Sequence, residues 1–489
     1  MTSGLRLRPR TLTGSNHRQE QQPLRSPSSV IAVSHHSPRW HQRQVEDMMS
    51  SDLASSSSSS SSSHPPLLPA LAFQEIVLGD IVGRGGFSFV HEIKYVKLQE
   101  VYDTGDEEAE SRARFASVFG VARSSSGGVD GDEDDDGAVV GGLPPSRRYV
   151  LKTLRPDLPE DEHAKGIVDL AVESQFLAAL SHPRILSIRG HANSDPLESR
   201  YFVILDRLET TLDHKLALWR KDVGENMGYW FGPCLGYCCS RPHVLRRIWA
   251  ERFAAARDIA SALEYLHGMD IVYRDLKPDN VGFNSSGELK MFDFGLAKRV
   301  TAADRSSDDD GLYNLTGNTG SLRYMAPEVA LNKPYSLSVD AYSFGVLFWQ
   351  LCSLSIPYSG FSCKMHSDMV VRRGYRPTLD STWPVSWGSL MGQCWSADHR
   401  SRPTFERISM AMNAELEEWT AIAAAEGGDF MTNERGNAGS IDGVESIKAR
   451  LGKSVFKIRA RKDGSRLDVD TRLANPEGTT EWKHDVNIV

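Results

Sequence analysis

The chain has 489 residues, 40% hydrophobic and 25% charged, with a net charge of −8 at pH 7. That is the profile of an ordinary globular protein, with no global attraction for nucleic acid or anionic lipid. Six cysteines are too few for a disulfide scaffold and suit a reducing compartment, so a cytoplasmic location is expected, with the nucleus as the alternative.

Residues 1–72 are rich in Arg and Ser, with eleven serines among the fourteen residues 50–63. They lack the apolar stretch of a secretory signal. Two prolines within the first 25 residues and no amphipathic pattern favour a disordered tail over an organellar transit peptide. Order is expected from Phe73, where an apolar run leads into Gly83-Arg84-Gly85-Gly86-Phe87-Ser88-Phe89-Val90. Phe87, Phe89, His91 and Ile93 alternate with period two, so the glycines sit in a turn between strands. Residues 99–147 are acidic and studded with glycine and read as a disordered insert.

Strands are expected at 148–154 and 201–205, with a helix over 163–180 between them. Beyond residue 205 the pattern turns helical, at 247–267, 338–353, 365–373, 384–395 and 403–424. The run Ala341 to Leu354 is the most apolar of these. It is shorter than the roughly 18–20 residues of a membrane span, and Ser343, Gly345, Gln350 and Ser353 make it a buried helix. A strand-rich part followed by a helix-rich part predicts an α+β fold of two lobes, with the cleft between them as the default site. The ordered part is expected to run from 73 to 423, with a mostly disordered tail at 424–489.

The glycine turn alone is a weak signal. No helix follows it, as a dinucleotide fold would require, and no lysine follows it, as a P-loop would require. The order of what comes next is stronger. Tyr273-Arg274-Asp275-Leu276-Lys277-Pro278-Asp279-Asn280 precedes Phe292-Asp293-Phe294-Gly295, and then come Tyr324-Met325-Ala326-Pro327-Glu328 and Asp340-Ala341-Tyr342-Ser343-Phe344-Gly345. Over about 74–420 the sequence resembles the eukaryotic protein-kinase family, in that family's motif order. Its details at Gly320–Met325, Cys394-Trp395 and Arg402–Phe405 are most similar to the tyrosine-kinase-like group of serine/threonine kinases. Without the insert Gly83 and Lys152 are about 20 residues apart, the length of two strands and a hairpin.

The resemblance implies transfer of the γ-phosphoryl group of ATP, with Mg²⁺, to protein substrates. It makes Lys152 the contact to the α- and β-phosphates and Glu173 its anchor, with Asp169 as the rival carboxylate. Asp275 becomes the base or orienting group for the substrate hydroxyl, with Lys277 beside the transferred phosphate, and Asn280 and Asp293 become Mg²⁺ ligands. Around the nucleotide it sets Val82, Gly83, Gly85, Gly86, Ser88, Val90, Val150, Leu205, Asp206 and Leu208, with 206–208 as the hinge between lobes at 73–205 and 209–423 and a second insert near 220–245 in the larger lobe. Ser321 is the expected hydroxyl facing Asp275 and Lys277, with Thr319 as its neighbour. Glu328 with Arg402, and Asp340, are expected to be scaffold.

Three departures stand out. Ser88 replaces the third glycine, Tyr273 replaces a histidine expected to stack with Phe294 and Leu177, and Gly282 stands where a leucine lies beneath adenine. Phe283 or another residue must fill that gap. A scaffold that keeps the fold without turnover is therefore the alternative reading, and a small-molecule kinase a third.

Arg274 beside Asp275 implies control by phosphorylation of the segment 293–328, at Thr316 or Thr319 rather than Ser306, Ser307 or Tyr313. Cys234, Cys238, Cys239 and His243 lack a common zinc spacing and read as a loop insert. The basic run from Lys448 to Lys462 reads as a solvated tail rather than a membrane contact.

Overall fold

The computed structural model describes residues 68–98, 106–118, 148–228, 242–307 and 311–427, and two short strands at 458–459 and 468–469. The small lobe is built on β1 (Ala70–Leu71), β2 (Ile76–Arg84), β3 (Ser88–Val96), β4 (Tyr149–Leu154), β5 (Ile188–Ala192) and β6 (Phe202–Asp206). These form a six-stranded sheet in the order β1-β5-β6-β4-β3-β2. The glycine turn links β2 and β3 as an antiparallel hairpin, and β3 pairs antiparallel with β4 across the insert. The insert therefore joins neighbouring strands and leaves the sheet continuous.

Ordered structure starts earlier than the expected boundary at Phe73. β1 pairs in parallel with β5, Ala70 opposite His191 and Leu71 opposite Ala192. Leu71 is fully buried, and its carbonyl accepts from the Asn193 N–H at 2.9 Å. A two-residue strand beside a proline carries no periodicity, so the sequence alone does not reveal it.

The acidic insert is not wholly a loop. Helix α1 (Asp106–Val118) folds within it, with Glu110 and Arg114 paired at 2.6 Å one turn apart. Its buried side is Arg112 and Phe115. Arg112 reaches Glu75 Oε1 at 2.5 Å, and Glu75 in turn accepts from the Ala72 N–H. The Phe115 ring lies 5.7 Å from Tyr149 of β4. The helix thus fastens the chain before β2 onto the small lobe. The remaining insert residues, 99–105 and 119–147, lie outside the described residues, as do 1–67.

Helix α2 (Glu160–Ala179) opens with Glu160, Asp161 and Glu162 in its first turn, where acids complement the helix dipole. Past β6 come β7 (Thr210–Thr211), α3 (Leu212–Gly228), α4 (Pro242–Gly268), β8 (Ile271–Val272), β9 (Val281–Phe283), β10 (Leu289–Met291), β11 (Lys298–Arg299), α5 (Ser338–Ser353), α6 (Val385–Cys394) and α7 (Phe405–Gly427). The second insert is shorter than expected, because α3 and α4 take up both of its ends. Residues 229–241, with Cys234, Cys238 and Cys239, lie outside the described residues. The basic tail is likewise undescribed apart from Ile458–Arg459, which pairs with Asp468–Val469.

α5 is buried along nearly its whole length, which explains its all-round apolar sequence. It stops at Leu354, whose φ of 53° is left-handed. The buried Arg252 of α4 donates to the last carbonyls of α5, Leu351 at 3.3 Å and Cys352 at 3.2 Å. Burial lowers its pKa to about 10. α4 and α7 pack side by side, with Trp249 stacked on Trp419. Among the described residues no helix is long and apolar enough to cross a membrane.

Candidate active site

The cleft between the lobes gathers side chains from β4, α2, the loop after β8 and the segment after β10. In β4, Val150 and Lys152 share one face because alternate strand residues do. Lys152 Nζ meets Glu173 Oε2 of α2 at 2.5 Å and Asp293 Oδ1 at 3.8 Å. Burial works against the Lys152 ammonium, but Glu173 and Asp293 outweigh it, and the net effect raises its pKa. The cation is therefore held firmly.

Asp169, the rival of Glu173, lies beside Gly295 and forms no ion pair with Lys152. A Cβ on Gly295 would lie 3.1 Å from the Asp169 Cβ and carbonyl, and Asp169 Oδ1 is buried with no hydrogen-bond partner. Burial pushes its carboxyl up to about 7, against the pull of Lys165. Glu173 is the partner of Lys152.

The loop after β8 is anchored from below. Buried Asp340 at the start of α5 accepts from the backbone N–H groups of Tyr273 at 2.8 Å and Arg274 at 2.9 Å, and His267 Nε2 lies 2.9 Å away. These contacts hold Arg274 at a φ of 69°, a strained conformation for a side-chain-bearing residue. On that platform Asp275 is surrounded. Its Oδ2 accepts from Lys277 Nζ at 2.7 Å and Asn280 Nδ2 at 2.9 Å, and its Oδ1 from the Ser321 hydroxyl at 2.7 Å. Lys277 also donates to Ser321 Oγ at 3.0 Å. Burial disfavours the Lys277 ammonium, and Asp275 more than compensates, raising its pKa.

Ser321, not Thr319, therefore joins this cluster. Thr319 is 2% exposed and donates to the Thr316 and Gly317 carbonyls. Between them Gly320 has a φ of 98°, and a Cβ there would sit 2.2 Å from the Arg274 carbonyl. The close approach of the two segments requires glycine.

Asp293 also has a left-handed φ, 65°. The preceding carbonyl, of Phe292, accepts from the Tyr273 hydroxyl at 2.5 Å, and the Tyr273 ring meets Phe294 edge-on at 5.2 Å. The tyrosine that replaces histidine thus stacks as expected and adds a hydrogen bond the sequence did not reveal. From α2 it is the ring of Phe176 that lies against Phe294, at 6.3 Å, while Leu177 is buried in the same core.

The glycine turn is held by its own hairpin. The Gly85 N–H donates to the Ser88 carbonyl at 2.8 Å, and a Cβ on Gly85 would meet Ser88 Oγ at 2.8 Å. A Cβ on Gly86 would meet nothing. Gly83 lies against Val90, and Val82 is exposed. At the back Leu205 is 4% exposed, opposite Val150. The Asp206 carboxylate is taken by Arg189 at 2.7 and 2.8 Å and its N–H donates to the Ser187 carbonyl at 3.2 Å, which leaves its carbonyl for the cleft. Leu208 N–H has no hydrogen-bond partner among the described residues.

Below the cleft, Arg402 grips Glu328 with two hydrogen bonds of 2.5 and 3.0 Å, as the sequence predicts. A family model for protein tyrosine and serine/threonine kinases matches residues 145–412, more than half of the chain. The chain belongs to the protein tyrosine and serine/threonine kinase family. The match begins at the last residues of the acidic insert, and the glycine hairpin joins the matched part through the β3–β4 pairing.

Among curated kinases, the chain is 28% identical over 271 residues to serine/threonine/tyrosine-protein kinase HT1 of Arabidopsis thaliana, covering 55% of this chain and 61% of that one. It is 32% identical over 189 residues to serine/threonine-protein kinase STY46 of the same plant, covering 39% and 31%. Dual specificity protein kinase shkB of Dictyostelium discoideum is 34% identical over 160 residues, covering 32% and 23%. The chain thus spans less than two thirds of the relatives it matches.

Proposed function

We propose that this protein transfers the γ-phosphoryl group of ATP to serine or threonine hydroxyls of protein substrates, and that phosphorylation of its activation segment controls the rate. One observation carries the reading. Lys277 bridges Asp275 and Ser321, at 2.7 and 3.0 Å, so a base and a cation flank the place where a hydroxyl would attack.

The residues fit an ATP–Mg²⁺ pair. Lys152, braced by Glu173, is a fixed cation for the α- and β-phosphates. The Asp293 carboxylate and the amide oxygen of Asn280, whose nitrogen is turned to Asp275, are hard oxygen donors that would hold Mg²⁺. When bound, the metal supplies positive charge that neutralises the phosphate oxygens. The backbone of Asp206 and Leu208 would read the adenine edge. Asp275 orients the acceptor hydroxyl and takes its proton, and Lys277 offsets negative charge on the moving phosphoryl group.

Control rests on Arg274. Its buried guanidinium donates to the Leu296 carbonyl at 2.6 Å and the Tyr335 hydroxyl at 3.3 Å, both neutral. The Tyr335 hydroxyl donates to the Thr316 carbonyl at 2.8 Å. A phosphate on Thr316 would stand near this cation, whereas the Thr319 hydroxyl is enclosed. Thr316 is the phosphorylation site of this reading.

The names of the relatives HT1 and shkB include tyrosine or dual specificity, which supports a second reading in which tyrosine is also accepted. Phosphoamino-acid analysis of a protein substrate, with Asp293→Ala as control, tests both. Phosphoserine or phosphothreonine that disappears in the variant supports the proposal, phosphotyrosine supports the second reading, and equal turnover in Asp293→Ala overturns both.

A further inference from the structure

Gly282 is the second residue of β9, paired with Lys290 and Thr211, and side chains alternate along a strand. Phe283 therefore faces the other way. It is buried, with the Lys215 ammonium 5.1 Å from its ring centre, on the side of β9 away from the cleft. It cannot fill the space that a glycine leaves at position 282.

That space is occupied all the same. A Cβ built on Gly282 would lie 2.6 Å from Leu208 Cδ1, 3.2 Å from the Thr210 carbonyl and 3.3 Å from Phe292 Cε1. Leu208 belongs to the hinge and Phe292 immediately precedes Asp293. Both side chains reach the space beside the glycine. Both are only partly buried, while Val281 and Met291 beside them are fully buried. Phe292 is fixed on both sides. Its N–H donates to the Asn280 carbonyl at 3.1 Å, and its own carbonyl accepts from Tyr273.

We propose that Phe292 and Leu208 form the floor on which the purine base lies, opposite Val90 and Val150, and that position 282 is glycine because their side chains need its space. The inference rests on the ATP-dependent reading above. It replaces an aliphatic side chain rising from β9 with an aromatic ring aligned by the same backbone that carries Asp293. A fixed ring gives a base a flat stacking surface, and loss of such a surface weakens binding by about tenfold.

The test is a titration of the full-length protein with fluorescent N-methylanthraniloyl-ADP, and with inorganic tripolyphosphate as a probe of the phosphate end alone. Phe292→Ala should weaken ADP binding by about tenfold and leave tripolyphosphate binding unchanged. Phe292→Leu, which keeps an apolar side chain of similar reach should the alanine variant fold poorly, should show a smaller loss in the same direction. Gly282→Leu should weaken ADP binding by crowding the ring. The double variant Gly282→Leu/Phe292→Thr should recover most of the affinity, because Leu208 Cδ1 ends a flexible side chain and can swing aside. Unchanged ADP affinity in both Phe292 variants, a neutral Gly282→Leu, or additive losses in the double variant would overturn the inference while leaving ATP-dependent transfer intact. A wild-type protein that binds neither probe would overturn the ATP-dependent reading and the inference with it.

Discussion

Truncating Phe115 asks whether the acidic insert is a working part of the small lobe. The side chain is 8% exposed, lies 5.7 Å from the Tyr149 ring, and is one turn from Arg112, which reaches a Glu75 carboxylate that is 1% exposed. Removing a buried phenylalanine side chain costs about 3–5 kcal/mol. A short surface helix can settle into part of the void, so Phe115→Ala should fall at the low end, about 3 kcal/mol. For a domain of roughly 300 residues, at about 2.1 cal/mol/K of unfolding entropy per residue, that lowers the melting temperature by about 5 °C. Arg112→Met withdraws the cation from a buried carboxylate and should cost about as much, 3–5 kcal/mol on the scale of broken buried ion pairs. Both substitutions release the same helix, so the double variant should lose less than the sum. Thermal melts give the magnitude, and amide exchange at Ala72 and Glu75 locates it. An unchanged melt with unchanged exchange at those amides would refute the docking of α1.

The Asp169 carboxyl, pushed by burial to about 7 from an ordinary 3.8, is held protonated more tightly by the folded state than by the unfolded chain. Its ionisation therefore removes stability as pH rises from about 4 through about 7. Asp169→Asn should melt above the wild type at pH 8, with the gap closing near pH 4; an equal gap at both pH values would contradict this. For Thr316, phosphatase treatment should lower wild-type activity by at least about fivefold, and Thr316→Ala should be low and insensitive to phosphatase. Full activity in that variant would remove Thr316 from the control mechanism.

Much of the site was legible because its residues lie in short, contiguous motifs whose roles depend on local spacing. Asp275, Lys277 and Asn280 share one loop, and the 21-residue step from Lys152 to Glu173 suits a strand followed by a helix. The helices were legible for a different reason. Long apolar periodicity survives in sequence, and α5 begins and ends at the residues the pattern predicts.

What stayed hidden depends on contacts between distant segments. β1 is two residues long and exists because β5 offers an edge. α1 has few apolar residues, and its docking rests on Glu75, 37 positions before Arg112. The occupants of the space over Gly282 come from Leu208 and Phe292, neither adjacent in sequence. The glycine signals that something must fill the space but carries no information about what does.

The central claim is that Asp275, held between Lys277, Asn280 and Ser321, drives phosphoryl transfer from ATP to a protein hydroxyl. The most direct measurement is the single-turnover rate of γ-³²P transfer to a protein substrate by full-length protein and by Asp275→Asn, with ADP binding measured in parallel. The account predicts transfer by the wild type and a loss on the order of 10²–10⁴-fold in the variant, with ADP affinity retained. Equal rates in the two proteins, or nucleotide binding without any transfer by the wild type, would contradict it.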